Sequence, residues 1–195
     1  KLDSAGNEIW SKTDVGFGQG IAVDSAGNVY VAHYVDSGGK AVRKLDSAGN
    51  EIWSKTDVGF GRGIAVDSAG NVYVTHGVSS GKTVRKLDSA GNEIWSRTGV
   101  EYGQGIAVDS AGNVYVTHNV DSGEKAVRKL DSAGNVIWSK TDVGFGRGIA
   151  VDSAGNVYVT HGVSSGKAVR KLDSAGNEIW SKTDVGFGQG IAVDS

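Results

Sequence analysis

The chain has 195 residues, with 20 basic against 22 acidic side chains for a formal net charge of -2, and it holds 31 Gly but no Pro, Cys or Met. Without cysteine there is no disulfide framework, no thiolate metal site and no cysteine nucleophile; interspersed acids and bases near neutrality argue against a nucleic-acid partner. The longest apolar runs are a few residues, as in Ile21-Ala22-Val23, so no membrane insertion is expected. No signal peptide is visible and the chain opens on Lys1, which suits an excerpt or a mature piece. Average usage would supply roughly ten prolines, and their absence points to less independent information than the length implies.

The missing information is repetition. Lys-Leu-Asp-Ser-Ala-Gly-Asn begins at Lys1, Lys44, Lys86, Lys129 and Lys171, dividing the chain into repeats 1–43, 44–85, 86–128, 129–170 and a partial 171–195. Repeats 44–85 and 129–170 differ only by Glu51 against Val136 and Thr83 against Ala168. A period near 42 lies in the range of four-stranded propeller blades. Within it, Asp-Ser-Ala-Gly-Asn occurs twice, so the smallest unit is a hairpin. Above it, Gln19, Gln104 and Gln189 alternate with Arg62 and Arg147, which favours an array with an even number of units.

Taken in chain order, the first residues are the end of one strand, a turn at Asp3–Asn7, and a strand over Glu8–Lys12. Gly20–Asp24 is short and β-branched and reads as a strand of type a. The turn Ser25–Asn28 leads to Val29–His33, an alternating type b strand. Ala41–Asp46 is type c, and after a second turn Glu51–Lys55 is type d. Asp and Ser open such turns by bonding their own backbone, and Gly supplies positive φ. The same order recurs in every unit. No stretch has helical apolar spacing over ten residues.

Four strands cannot bury two faces alone, and like sheets arranged about an axis cover one another. One Trp per unit (Trp10, Trp53, Trp95, Trp138, Trp180) sits mid-strand on d and is expected in the contact between sheets rather than as a sugar-stacking platform. The expected fold is all-β: a β-propeller of four-stranded antiparallel blades, about five repeats with the fifth incomplete, in a single domain or an excerpt of one.

Gly-Ile-Ala-Val-Asp-Ser-Ala-Gly-Asn-Val-Tyr-Val-Thr-His, once per unit across essentially the whole chain, resembles the bacterial β-propeller repeat and is similar to the NHL repeat. The resemblance implies a binding scaffold at the cell surface or outside it, with no shared catalytic chemistry. Where NHL units commonly carry Asp after the Val-Tyr-Val strand, this chain has His33, His76, His118 and His161. The strand inventory is uneven at the ends, with one b strand fewer than a or d. Either the array continues to six or more blades, or a partner chain supplies the strand, or the ring closes on an incomplete fifth blade.

Differences between copies gather on the d–a and b–c loops at one end of each unit. Variation confined to one rim suits a recognition surface, and equally suits relaxed loops. The candidate ligand-binding set is an aromatic (Phe17, Phe60, Tyr102, Phe145), a Gln or Arg two residues on (Gln19, Arg62, Gln104, Arg147), the His ending strand b (His33, His76, His118, His161), and the b–c residues Tyr34 and Asn119. Aromatic faces with amides, guanidiniums and imidazoles suit a glycan or a polar surface group, and several shallow sites would add avidity. A surface or hydrogen-bonded structural role for these histidines is the alternative. Gly77–Thr83 and Gly16–Gly20 fall short of nucleotide motifs in spacing and lack a following helix. Asp-Ser-Ala-Gly-Asn lacks a calcium loop's carboxylates. No metal or cofactor is expected, and no enzyme activity, because every Ser/His/Asp set recurs in each unit. The second functional reading is a structural or assembly module, recently amplified or designed, that joins chains by strand complementation.

Overall fold

The computed structural model describes residues 1–14, 16–34, 42–56, 60–76, 83–100, 102–119, 125–141, 146–161, 169–183 and 188–194. Sixteen strands among them form four separate sheets of four, each ordered as in the chain. The first sheet is β1 (Phe17–Val23), β2 (Val29–Tyr34), β3 (Val42–Leu45) and β4 (Glu51–Lys55). The second is β5 (Gly61–Val66), β6 (Val72–His76), β7 (Val84–Leu87) and β8 (Glu93–Arg97). The third is β9 (Ile106–Val108), β10 (Val114–Asn119), β11 (Lys125–Leu130) and β12 (Val136–Lys140). The fourth is β13 (Gly146–Val151), β14 (Val157–His161), β15 (Val169–Leu172) and β16 (Glu178–Lys182). Every pairing is antiparallel.

The Asp-Ser-Ala-Gly-Asn turn is a self-contained hydrogen-bond cage. In its copy at residues 46–50, Asp46 Oδ1 accepts the N–H groups of Ala48 (2.9 Å) and Asn50 (2.8 Å), while Oδ2 accepts Asn50 Nδ2 at 2.9 Å. The Gly49 N–H donates to the Asp46 carbonyl at 3.0 Å, with Gly49 at φ +88. In turns that join the first two strands of a sheet, the Tyr of the second strand adds a bond to the same carboxylate: Tyr30 Oη donates to Asp24 Oδ2 at 2.9 Å. One carboxylate thereby fixes the turn and anchors the largest of the fully buried side chains.

Packing between sheets makes the core. Tyr30, Ala32 and Val42 of the first sheet meet Ile64, Val72, Val74 and Leu87 of the second. Tyr73, Val84 and Trp95 meet Ile106, Val114, Val116 and Leu130 of the third, and the pattern recurs between third and fourth. Trp53, Trp95 and Trp138 lie in these contacts, as the mid-strand position predicts. Trp53 stands edge-on to Tyr30 at 6.3 Å and donates its Nε1–H to the Ser89 carbonyl of the next sheet's turn at 3.0 Å. Lys44 crosses the same boundary, its Nζ 5.1 Å from the Tyr30 ring centre and 3.3 Å from the Ser89 carbonyl.

The ends depart from the strand inventory read in the sequence. Residues 1–10 make only one bridge, Leu2 to Glu8, and residues 188–194 form no strand. Each lacks the neighbouring strand with which it would pair. Both are still placed as parts of further units: Trp10 donates to the Ser47 carbonyl at 3.0 Å, and Gly188 lies against Thr160. The first-sheet face that no complete sheet covers leaves Ile21 70% exposed, whereas its counterparts Ile64, Ile106 and Ile149 are each 8% exposed.

Two outcomes follow from this geometry. A Cβ added at Gly63 would lie 2.6 Å from the Gln104 carbonyl oxygen, whereas one at Gly190 finds nothing within 4 Å. Gly63→Ala is expected to cost about 1–3 kcal/mol as backbone is forced apart, and Gly190→Ala to change stability by about 0.5 kcal/mol or less, both read from urea unfolding. The second outcome concerns acid. The turn carboxylates Asp3, Asp46, Asp88 and Asp131 are held below the ordinary 3.8, foremost by their Asn side chains. Asp24, Asp67 and Asp109 are also lowered, although burial, the largest single influence on them, opposes it. The unfolded chain then binds protons that the folded chain refuses. Stability present at neutral pH is lost as pH falls through 3.8 and on through the depressed values. The urea midpoint should hold steady from pH 7 to about 5 and drop steeply below about 4; an unchanged midpoint at pH 3 would contradict the cage.

Candidate binding site at the axial mouth

The first strands of successive sheets (β1, β5, β9, β13) run side by side and line the axis of the array. Near its start each of β1, β5 and β13 breaks register with its partner. Gly18 pairs with His33 and Gly20 with Ala32, leaving Gln19 unpaired. Gly61 pairs with His76 and Ile64 with Val74, so Arg62 and Gly63 together face Thr75 alone, and Arg147 and Gly148 repeat this against Thr160. Such bulges free one residue from the ladder and re-aim its side chain. They also explain why β1, β5 and β13 start earlier than the sequence reading placed strand a: the Gly-x-Gly segment is bulged strand. In the third sheet, Tyr102 adopts φ +46 and β9 begins only at Ile106.

Threonine repairs the ladder at the bulge. Thr75 Oγ1 accepts the Gly63 N–H at 2.9 Å and donates to the Gln104 carbonyl of the next sheet at 3.1 Å. Thr117 accepts from Gly105 at 2.9 Å and donates to the Arg147 carbonyl at 3.0 Å. One hydroxyl thus satisfies its own sheet and ties the next.

The freed residues converge. Gln19, Arg62, Gln104, Arg147 and Gln189 line one cavity of about 210 Å³. Arg62 Nη1 donates to Gln104 Oε1 at 2.7 Å and Arg147 Nη1 to Gln189 Oε1 at 3.0 Å, so each Arg leans on the Gln of the next unit. Gln104 Nε2 donates to the Tyr102 carbonyl at 3.1 Å. The Gln/Arg alternation seen in the sequence is a donor–acceptor alternation around the mouth. Gln189 was not among the expected site residues. Its place in the fifth Gly-x-Gly segment was the signal for it.

The remaining expected residues divide. Phe17 is 68% and Phe60 44% exposed, and Tyr102 is half-buried. Tyr34 and Asn119 end β2 and β10. Phe145, most of the b–c loops, and all of Gly77–Thr83 except Thr83 lie outside the described residues. His33, His76, His118 and His161 are buried at 0–1% exposure. They belong to the core, away from any ligand that approaches from solvent. Burial first, and then the Arg43 charge, hold the His33 imidazole below its ordinary 6.5, with Asp14 opposing. The expected grouping of aromatic, Gln/Arg and His therefore resolves into exposed aromatics, a shared polar mouth and buried imidazoles. Among the described residues no cluster of three or more His, Asp or Glu is placed to hold a metal ion.

The first sheet has Ala32 where the others have Thr75, Thr117 and Thr160. Ala32→Thr is expected to stabilise the chain by about 0.5–1.5 kcal/mol, by giving the Arg62 carbonyl of the next sheet a side-chain donor, as Thr75 does for Gln104. Chemical denaturation checks it, and a destabilised variant would refute the threonine's bridging role.

Among known proteins, the β-propeller repeat matches this chain four times, at residues 11–32, 54–75, 96–117 and 140–160. No curated protein sequence matches it. A protein of unknown function from Bacteroides caccae superposes with a TM-score of 0.67 at 16% identity, over 96% of this chain and 76% of its own. Hydrazine synthase from Kuenenia stuttgartiensis gives 0.72 at 16% identity, over 89% of this chain and 51% of its own. A gluconolactonase from Xanthomonas campestris gives 0.65 at 16% identity, over 90% and 65%. At such identities the likeness is one of fold, and the fold serves proteins named as enzymes and one of unknown function alike. With four four-stranded antiparallel sheets in sequence order and a repeat match in each, the chain belongs to the β-propeller repeat family.

Proposed function

We propose that this propeller is a non-enzymatic binding scaffold that recognises glycans or cell-surface groups at the d–a end of its array. The observation that carries the reading is convergence: five equivalent side chains from five units line one cavity, with Phe17 and Phe60 exposed two residues before Gln19 and Arg62. An apolar ring face beside amide and guanidinium donors matches a saccharide, which has an apolar face and a rim of hydroxyls. The avidity expected from separate shallow sites is replaced in this reading by several units contributing to one ligand. The scaffold suits the task because the strands are locked by cages at the opposite end, leaving the mouth side chains to vary. Near-identical units and buried histidines favour binding over chemistry, since a catalytic site needs different groups in different roles. Localisation at or outside the cell surface belongs to the same proposal.

A second reading, self-association through unpaired strands, is favoured by a groove of about 550 Å³ at the uncovered face of the first sheet. It is lined by Trp10, Ile21, Val23, Val29, Val31 and Leu45 among others. Sheets two to four bury the equivalent face against a preceding sheet.

Glycan-array binding tests the first reading. The intact chain should bind a defined set of saccharides, and Phe17→Ala with Phe60→Ala should reduce that signal at least tenfold while thermal unfolding stays unchanged. Absence of binding at millimolar sugar would sink it. Light scattering tests the second, for which a strict monomer at all concentrations is the contrary result.

A further inference from the structure

The arginines of this chain differ in what they meet: Arg97 donates to the Gly134 and Ala133 carbonyls of the next sheet's turn, and Arg128 to the Gly99 carbonyl. Arg43 Nη1 lies 2.7 Å from Asp14 Oδ2, and Arg85 and Arg170 each lie 3.3 Å from a glutamate, Glu93 and Glu178. These are sheet arginines matched to carboxylates. Arg62 and Arg147 are different. Among the described residues each makes one hydrogen bond, to a neutral glutamine amide, and no carboxylate lines the cavity they share.

A guanidinium carries five N–H donors and a charge that does not titrate away. Among the described residues, that single bond to an amide oxygen gives the charge no carboxylate partner and leaves further donors of the planar fork available. Forks of this kind take carboxylate, sulfate or phosphate through paired charge-assisted bonds. Two of them stand on alternate units of one mouth, with glutamine amides between. Gln, which occupies three of the five positions, would alone serve for sugar hydroxyls. The two arginines add positive charge, for which neutral hydroxyls have no use. The cavity, about 210 Å³, is smaller than the roughly 300–1,000 Å³ of a whole small-molecule site, and matches one ionic group at the end of a larger ligand.

We propose that the axial mouth binds an oxyanionic group, carboxylate or sulfate, and that the ligand of this propeller is an acidic saccharide whose anion enters between Arg62 and Arg147. The inference rests on the reading of this end as the saccharide-binding face and sharpens it from sugars in general to charged ones. The ring of the sugar stays outside the cavity, toward Phe17 and Phe60.

Isothermal titration calorimetry with glucuronate, glucose and inorganic sulfate, at low salt and at 0.3 M salt, tests it on the intact chain and on a variant carrying Arg62→Gln and Arg147→Gln. Glutamine already occupies the equivalent position at Gln19 and Gln104, so the variant keeps the local geometry, and its unfolding midpoint is measured alongside. The expected result is that glucuronate binds at least tenfold tighter than glucose, weakens with salt, and loses at least tenfold in the variant. Equal affinity for glucose and glucuronate, or an unaffected variant, overturns the anion site and leaves saccharide recognition standing. Sulfate bound by the chain and lost in the variant, with neither sugar bound, supports the anion site and overturns the saccharide. No binding by any probe overturns both.

Discussion

Everything in this molecule depends on one contact, the face-to-face packing of each sheet on the next. A four-stranded antiparallel sheet has two sides to cover and no layer of its own to cover them. Here Tyr and Trp from one sheet fill the surface presented by Ile, Val and Leu of the following one. Each such fully buried aliphatic side chain contributes about 1.5–3 kcal/mol. The indole N–H and the lysine ammonium reach across the same boundary to the Ser carbonyl of the neighbouring turn. Because that turn is held rigid by its own aspartate, the acceptor is in place before the neighbour arrives. Local turn chemistry and long-range packing therefore reinforce each other.

The same contact sets the site. For the sheets to meet at their inner edges, the first strands must approach closely, and glycine flanks each axial residue there to allow it. The approach breaks the pairing of first and second strands, and the break turns one side chain per unit out of the ladder. A threonine hydroxyl takes the place of the lost backbone partner. The mouth is thus a by-product of assembly: its position follows from crowding, and only the identity of its side chains is open to choice. Gln and Arg in alternation satisfy one another without closing the cavity.

Much of this was legible in the sequence, for reasons that differ by element. Strand d at Glu51–Lys55 and strand b at Val29 onward were read to within a residue, because alternation and flanking turn signals bound them on both sides. The extension of β1 back through Phe17–Gln19 was not. Glycine-rich sequence carries no hydrophobic period, and a bulge depends on what the neighbouring sheet requires. The grouping of Gln19, Arg62 and Gln104 in one cavity was hidden for a related reason. The period says that they are equivalent, but not that equivalent positions point inward. The histidines were misleading in the opposite sense, since a polar residue closing a strand reads as exposed, and their burial comes from neighbouring elements.

The unevenness of coverage along the array has a consequence for how the chain comes apart. The second and third sheets are gripped by a complete sheet on either side, while the first and fourth have only one such neighbour, and Trp180 is left 38% exposed where Trp95 is 9%. In a linear stack held by nearest-neighbour contacts, local opening is easiest at the extremities. Amide protons of β1 should exchange with solvent long before those of β6 and β10. The first sheet lacks the threonine tie as well, so the two extremities are not equal. Fraying then runs inward from the first sheet, and the second and third, with Arg62 and Gln104 on their inner edges, are the last part of the mouth to dissolve.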